Sequence, residues 1–358
     1  MNVLIDIGHP AHVHYFKHLA THLLGNGNSV LFTVKDKEVC VQLVQAYEFQ
    51  YVVLGRNVKG ILLKALSLIV YTVKLFYVAL KFKPDILINA SPSAAFVSWL
   101  LRKHHISLED TFNMEQVRLY LPFTSVVLTG NYEHRSLGKK ELRYPGYQEL
   151  AYLHPELFQP NKVVFSMLNI KEGERYAVVR FVSWNASHDS GHSGMTNENK
   201  IKLVQGLSKY IKVFISSEAL LPADIVNYVI KIKPEYMHHA LFYAHLFIGE
   251  SATMASESAC LGTPTIYVNN SQLGYILDLA RYGLICSYTE SEDDQDKAIQ
   301  KALEFAQDTQ AKSPTNALRA NMLRDKINVN AFLVWFVERY PDSEKEMRMP
   351  EFIFDRFR

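Results

Sequence analysis

The sequence predicts an α/β protein made of two successive Rossmann-like halves. Short apolar runs alternate with helical patterns along most of the chain. Those runs are apolar throughout rather than alternating, as strands covered on both faces are. The polar residues able to do chemistry follow the runs, where open α/β sheets bind their ligands. With 358 residues, the chain exceeds one ordinary core, and two domains are expected.

The elements follow in order. Strands are expected at 3–7, 29–34, 51–54, 86–89 and 125–128, with helices at 12–25, 37–46, 60–82 and 94–101 between them. Around "YPGYQELAYLHPELFQPN" (144–161) prolines, a glycine and aromatics break the pattern and mark a boundary. A second series has strands at 176–181, 212–216, 246–248 and 265–268. Its helices are at 197–208, 237–243, 254–261 and 292–308. The reading is a first Rossmann-like domain over 1–160 and a second over 161–335. A tail at 336–358 is left open to return to the first domain.

Composition narrows the function classes. Apolar residues make up 48%, charged residues 21%, and net charge is +2, so nothing global argues for nucleic acid. Cys40, Cys260 and Cys286 are widely spaced, which fits neither a disulfide framework nor a metal-type pair. "MNVLIDIGHP" opens as a strand without a basic n-region, so the cytoplasm is the expected location. Residues 60–82 are almost entirely apolar, but Lys64 and Lys74 interrupt them. Each lysine would cost about 2.5–3.5 kcal/mol near a bilayer centre, so a spanning helix is not expected. The segment is either a packed helix or an apolar surface resting on an anionic membrane face. In the second case it is ringed by Lys59, Lys64, Lys74, Lys81 and Lys83.

Candidate site residues cluster after strands. "DIGHPAHVHYF" places Asp6, His9, His12 and His14 at a strand end or in the following turn. No downstream carboxylate motif accompanies them, which argues against a metal site. A histidine near neutral pKa in such a loop suits general base work. His12 is the first candidate and His9 the second, while His14 and His18 read as helix flank. "FNMEQVRLY" groups Asn113, Glu115 and Gln116, either as acceptor contacts or as an exposed helix start. In the second half, Arg180 at a strand end suits a pyrophosphate because its planar fork pairs two oxygens. "ISSEALLP" (215–222) brings Ser217 to a strand end. "GESATMASE" then opens a helix with Glu250, Ser251, Ala252, Thr253 and Met254, and Glu257 lies a turn further in. Capping explains part of this pattern. Three polar strand ends from one domain favour N–H groups holding phosphates and Glu257 gripping a sugar hydroxyl.

Four blocks carry a resemblance: "HPAHVHYFKHL", "NMEQVRLYLPF", "VVRFVSWNASHD" and "MHHALFYAHLFIGESATMASESACLGTP". Together they resemble the domain-of-unknown-function 354 family (DUF354), glycosyltransferase-like proteins associated with bacterial surface polysaccharide synthesis. More distantly the chain is similar to the N-acetylglucosaminyltransferase of peptidoglycan precursor synthesis and to the non-hydrolysing UDP-N-acetylglucosamine 2-epimerases. The resemblance implies a GT-B fold, two Rossmann-like domains facing across a cleft, with a nucleotide sugar held mainly by the second. It implies that the turn at 250–254 contacts the donor's phosphates and that Glu257 binds the ribose. His12 falls where the peptidoglycan enzyme has a first-loop histidine. Where related sequences carry glycines, this one has Glu250-Ser251-Ala252, and side chains there narrow the space for a pyrophosphate. The implied activity is glycosyl transfer to a hydroxyl of a glycan or lipid-linked acceptor. The nucleotide sugar serves as substrate, with no resident cofactor or metal. An epimerase or a non-catalytic subunit are the alternatives, and the epimerases' "GTRPE"-like opening is replaced by "DIGHPAHVH".

Overall fold

A computed structural model describes residues 1–36, 39–56, 61–183, 193–218 and 220–358, without the side chains of 56 and 61–65. Lys59, the Lys64 side chain and residues 184–189 of "RFVSWNASHD" therefore lie outside the described residues. The chain divides into two compact units, Met1–Leu157 with Lys326–Arg358, and Phe158–Asp325.

The first unit opens with β1 (Asn2–Ile7), α1 (Pro10–Gly25), β2 (Ser29–Asp36), α2 (Cys40–Ala46), β3 (Tyr51–Arg56) and α3 (Ile61–Phe82). It continues with β4 (Ile86–Ile88), α4 (Pro92–Leu100), β5 (His104–Glu109), α5 (Met114–Tyr120), β6 (Val126–Gly130), β7 (Glu141–Tyr144) and α6 (Leu150–Leu153). Seven parallel strands run in the order β3-β2-β1-β4-β5-β6-β7. The order reverses between β1 and β4, so connections leave those neighbours in opposite directions and open a gap at their carboxyl ends. α1 packs with α2 and α6, whereas α3 packs on α4 and α4 on α5, a separate helix layer. Leu4, Leu54 and Leu87 meet Tyr71, Leu75 and Ala79 of α3 and Val97 of α4 in that layer's core.

The second unit contains α7 (Val163–Met167), β8 (Tyr176–Phe181), α8 (Asn197–Leu207), β9 (Lys212–Ser217), α9 (Met237–Tyr243), β10 (Leu246–Gly249) and α10 (Ala252–Cys260). After these come β11 (Thr265–Val268), α11 (Gly274–Arg281), β12 (Ile285–Tyr288), α12 (Glu292–Gln307) and α13 (Lys312–Asp325). Its five parallel strands run β12-β11-β10-β8-β9 around a core that includes Val179, Ile215, Ile248 and Ile266. The chain then re-enters the first unit as α14 (Val329–Glu338) and α15 (Asp342–Met347), with α14 packed on α1 and α6.

Two strands of the first sheet, β5 and β7, and the β12 edge of the second were not expected. In "HHISLE" polar residues interrupt the apolar run, and His105 and Glu109 find partners beyond the strand. His105 Nδ1 lies 2.8 Å from Thr124 Oγ1, and the Glu109 carboxylate accepts from the loop that follows.

Candidate functional site

In the first unit the residues after β1 and β4 form one connected group. Asp6 is buried, yet its carboxylate has no cation partner among the described contacts. Oδ1 accepts from Thr33 (2.8 Å) and from the Tyr71 hydroxyl (2.5 Å), and Oδ2 accepts from Ser91 (2.5 Å). Burial, with Asp6 adding to it, pushes the Tyr71 hydroxyl well above its ordinary range. Asn89, only 2% exposed, takes φ 110°, a backbone region that non-glycine residues rarely occupy. Its amide is oriented by two backbone groups: Oδ1 accepts from Ala90 N–H at 2.8 Å and Nδ2 donates to the Asp6 carbonyl at 2.6 Å. The same Nδ2 lies 2.7 Å from His12 Nδ1, which Gly8 N–H also approaches at 3.4 Å.

Two N–H donors facing Nδ1 make that nitrogen the acceptor, so the neutral His12 ring carries its proton on Nε2. As held, His12 offers a hydrogen-bond donor at Nε2, and acting as a base there requires the other tautomer. His9 caps α1, its Nδ1 accepting from Ala11 N–H at 3.2 Å, and stands edge-on to His12 at 5.9 Å. His14 lies buried against Tyr47 and Tyr152. Burial lowers His18 to about 4, with Lys17 adding to the shift. Glu115 is exposed in the first turn of α5, whose cap is Asn113, and no described bond joins it to the Asp6–Asn89–His12 group.

Asp110, just beyond β5, escaped the sequence reading. The residue keeps some exposure, but its carboxyl sits in protein-dense surroundings. Burial first, then Glu109 and Glu149, hold it well above the usual carboxylate range. The Tyr15 hydroxyl approaches it at 3.5 Å, and the Tyr15 ring lies 5.8 Å from that of His12. The neighbouring Glu109 is taken up structurally, accepting from Thr111, Phe112 N–H and the Tyr120 hydroxyl.

In the second unit, β8, β9 and β10 end at Arg180-Phe181, Ser217 and Gly249. Gly249 pairs with Arg180, and a Cβ there would stand 2.7 Å from Arg180 Cβ and carbonyl oxygen, so only glycine fits. Arg180 donates to Ser216 Oγ at 2.7 Å and pairs with Glu218, partners with which any diphosphate has to compete. Ser217 is half-buried opposite Phe181.

Glu250, expected among the ligand contacts, is placed differently. It is 1% exposed and turned into the protein, Oε2 accepting from Val182 N–H (2.8 Å) and Oε1 from Met195 N–H (2.7 Å). Burial pushes this carboxyl above its ordinary range. Its work is to hold the two stems of the β8–α8 connection. Glu290 helps, accepting from Ser193 and Gly194 N–H at 2.6 and 2.9 Å. Turned this way, the Glu250 carboxylate does not crowd the helix start. Ser251 caps α10 by accepting from Met254 N–H at 3.4 Å, leaving Ala252 and Thr253, both half-buried, in the open first turn. Met254 itself is buried. Glu257 is buried one turn on, with Oε1 2.9 Å from His238 Nε2 of α9.

A family model described as "Protein of unknown function (DUF354)" matches residues 1–327. The chain belongs to the DUF354 family. An uncharacterized protein of Methanocaldococcus jannaschii is 25% identical over 279 residues, covering 74% of this chain and 81% of that one. A solved structure of a putative UDP-N-acetylglucosamine 2-epimerase from Listeria monocytogenes superposes with TM-score 0.68 at 10% identity, covering 97% of this chain and 96% of that one. The spinosyn forosaminyltransferase matches with TM-score 0.62 at 14% identity over 98% and 100% of the two chains. This DUF354 protein thus has the GT-B fold, with two Rossmann-like parallel sheets.

Among the described residues, each unit of the DUF354 chain groups polar side chains at its strand ends. In the first, a tautomer-locked histidine, a strained asparagine and an elevated carboxyl follow β1, β4 and β5. The second offers a capped helix start with a buried Glu–His pair behind it. Asn89, Asp110 and His238 were missed from the sequence. "NASPSA" and "LED" hinted at the first two only by following apolar runs, while His238 gave no signal of its pairing.

Proposed function

We propose that this DUF354 protein transfers a glycosyl group from a nucleotide-sugar donor to a hydroxyl of a glycan or lipid-linked acceptor in surface polysaccharide or glycolipid synthesis. The observation carrying this reading is the start of α10. Ser251 caps one N–H, those of Ala252 and Thr253 have no acceptor within the helix, and Glu257 lies one turn behind. The first-turn N–H groups hold the diphosphate, Arg180 and Ser217 border it, and Glu257, oriented by His238, grips the ribose. The names of the structural neighbours, an epimerase acting on a UDP-sugar and a glycosyltransferase, support a sugar-nucleotide ligand.

On the acceptor side His12 is the principal catalytic group. Its Nε2–H donates to a reacting oxygen, while the Asp110 carboxylate takes the proton of the attacking hydroxyl. The bond from the anomeric carbon to the acceptor oxygen forms as its bond to phosphate breaks, and the nucleoside diphosphate leaves. His9 and Glu115 border the acceptor in this reading. The nucleotide sugar is a substrate, no resident cofactor or metal is invoked, and the reaction belongs to the cytoplasm or its membrane face.

The test is incubation of the full chain with a panel of nucleotide sugars, with and without acceptor extracts, following nucleotide release and sugar identity. Acceptor-dependent release supports transfer. Conversion of the sugar without acceptor replaces transfer by epimerisation, and binding without turnover replaces it by a non-catalytic subunit.

A further inference from the structure

The layer formed by α3, α4 and α5 has an outer face that nothing in the described structure covers. α3 is apolar nearly all round, and the structure sorts its sides. Tyr71, Leu75 and Ala79 are buried against the sheet and α4. Leu66, Ile69, Val70, Val73, Tyr77 and Leu80 are exposed, Ile69 by 62% and Tyr77 by 61%. Their spacing places all six on one side of the helix. Beside them α4 exposes Phe96, Leu100 and Trp99, the last by 56%. Trp99, Phe96 and Phe123 form an aromatic cluster with ring centroids 5.4–5.8 Å apart. An apolar surface this continuous has to be explained by a partner.

Charge identifies the partner. From residue 61 to 104 the sequence holds six Lys and Arg against one acid, Asp85, which is taken up by Asn2 N–H and Lys103. Lys74 and Lys81, seven residues apart, are exposed along one edge of the apolar face of α3. Lys83, Arg102 and Lys103 follow the ends of α3 and α4 and are exposed too. Past Phe123, a shallow hollow of about 450 Å³ is lined by Leu121, Pro122, Leu137, Arg118, Lys139 and Lys140. Lys140 spends its ammonium on the carbonyls of Leu121, Pro122 and Thr124, leaving Arg118 and Lys139 exposed at the rim. Apolar side chains in a plane, an interfacial tryptophan and a basic border are the chemistry that meets acyl chains and anionic headgroups. A symmetric contact with a second copy would set this face against another carrying the same excess of Lys and Arg. No helix among the described residues is long and apolar enough to cross a membrane.

We propose that the outer face of α3 and α4, with its basic border, docks this protein peripherally on an anionic lipid bilayer. The inference is independent of the glycosyl-transfer reading. It is tested by sedimenting the full chain with neutral phosphatidylcholine vesicles and with vesicles containing phosphatidylglycerol, over a salt series. Binding is expected to the anionic vesicles, falling at least about tenfold as salt shortens the screening length from about 10 Å to about 3 Å. The triple variant Ile69→Ser, Val73→Ser, Tyr77→Ser should lose binding at least tenfold, as should Lys74→Glu with Lys81→Glu. Both sets alter exposed side chains and should keep the wild-type circular dichroism and unfolding cooperativity. Equal binding to neutral and anionic vesicles, or none to either, overturns the proposal. So does a concentration-dependent dimer that the serine variant dissolves, since a second copy then owns the face.

Discussion

Replacing Asn89 by glycine tests the geometry around His12 most directly. The change removes three hydrogen bonds, to the Asp6 carbonyl, from Ala90 N–H and to His12 Nδ1. At about 0.5–1.5 kcal/mol each, they are together worth about 1.5–4.5 kcal/mol. Against this, glycine takes φ 110° without strain, recovering about 1–3 kcal/mol, and loses about 0.5–1 kcal/mol through the freer unfolded chain. The balance is a net destabilisation of about 1–2 kcal/mol, readable by urea unfolding and small enough to leave the fold standing. The functional effect should exceed the structural one. With Asn89 gone, the shorter of the two described contacts at Nδ1 is lost, the Gly8 N–H contact of 3.4 Å stays, and the ring is expected to sample both tautomers. Nitrogen-15 NMR of histidine-labelled protein should show His12, assigned by its loss in His12→Gln, protonated at Nε2 in the wild type and mixed in Asn89→Gly. Turnover should fall at least tenfold while nucleotide affinity holds. A wild-type His12 protonated at Nδ1, or an Asn89→Gly variant with unchanged spectrum and turnover, would refute the reasoning.

Other expectations concern single groups. Glu257→Gln keeps the size of the side chain but removes its charge, and losing a charged hydrogen bond of about 1.5–3 kcal/mol should weaken nucleotide binding tenfold or more; calorimetry with the nucleotides that bind wild type checks this. Asp110 has a folded pKa raised above the unfolded value, so its ionisation opposes folding. Stability should therefore fall as pH rises from about 4 through the raised value, and Asp110→Asn should flatten that fall in urea titrations while lowering turnover. His105 works in the opposite direction, since burial holds it neutral down to about 3. Its contribution is complete above about 6.5, and acidification from there to pH 4 should cost about 3 kcal/mol. His105→Leu should remove that part of the acid slope, and an unchanged slope would assign it elsewhere.

Read alone, the chain already determines much. The α/β class follows from the apolar runs and the helices between them, because a strand buried on both faces has no polar side to show. The opening of α10 was legible for a similar reason: a cap, a turn of small residues and a carboxylate one turn on are local features. Glu250 shows where local reading stops. Its place at a helix start suggested a ligand contact, yet the carboxylate points inward because Val182 and Met195 offer buried N–H groups that need an acceptor, and both are distant in sequence. His12 was named from the sequence without its tautomer, which depends on an asparagine 77 positions away and on the backbone groups that orient its amide. Asp110 owes its elevated pKa first to burial and then to carboxylates assembled around it, Glu109 from its own strand end and Glu149 from a distant segment. α3 was ambiguous in principle, because a helix apolar all round carries no periodicity to separate a packed side from an exposed one. Only packing on α4 and the sheet decides which of its described apolar residues remain outside. Hydrophobic pattern and capping act between neighbours in the chain, whereas tautomers, burial and exposed faces depend on which distant groups the sheet order brings together.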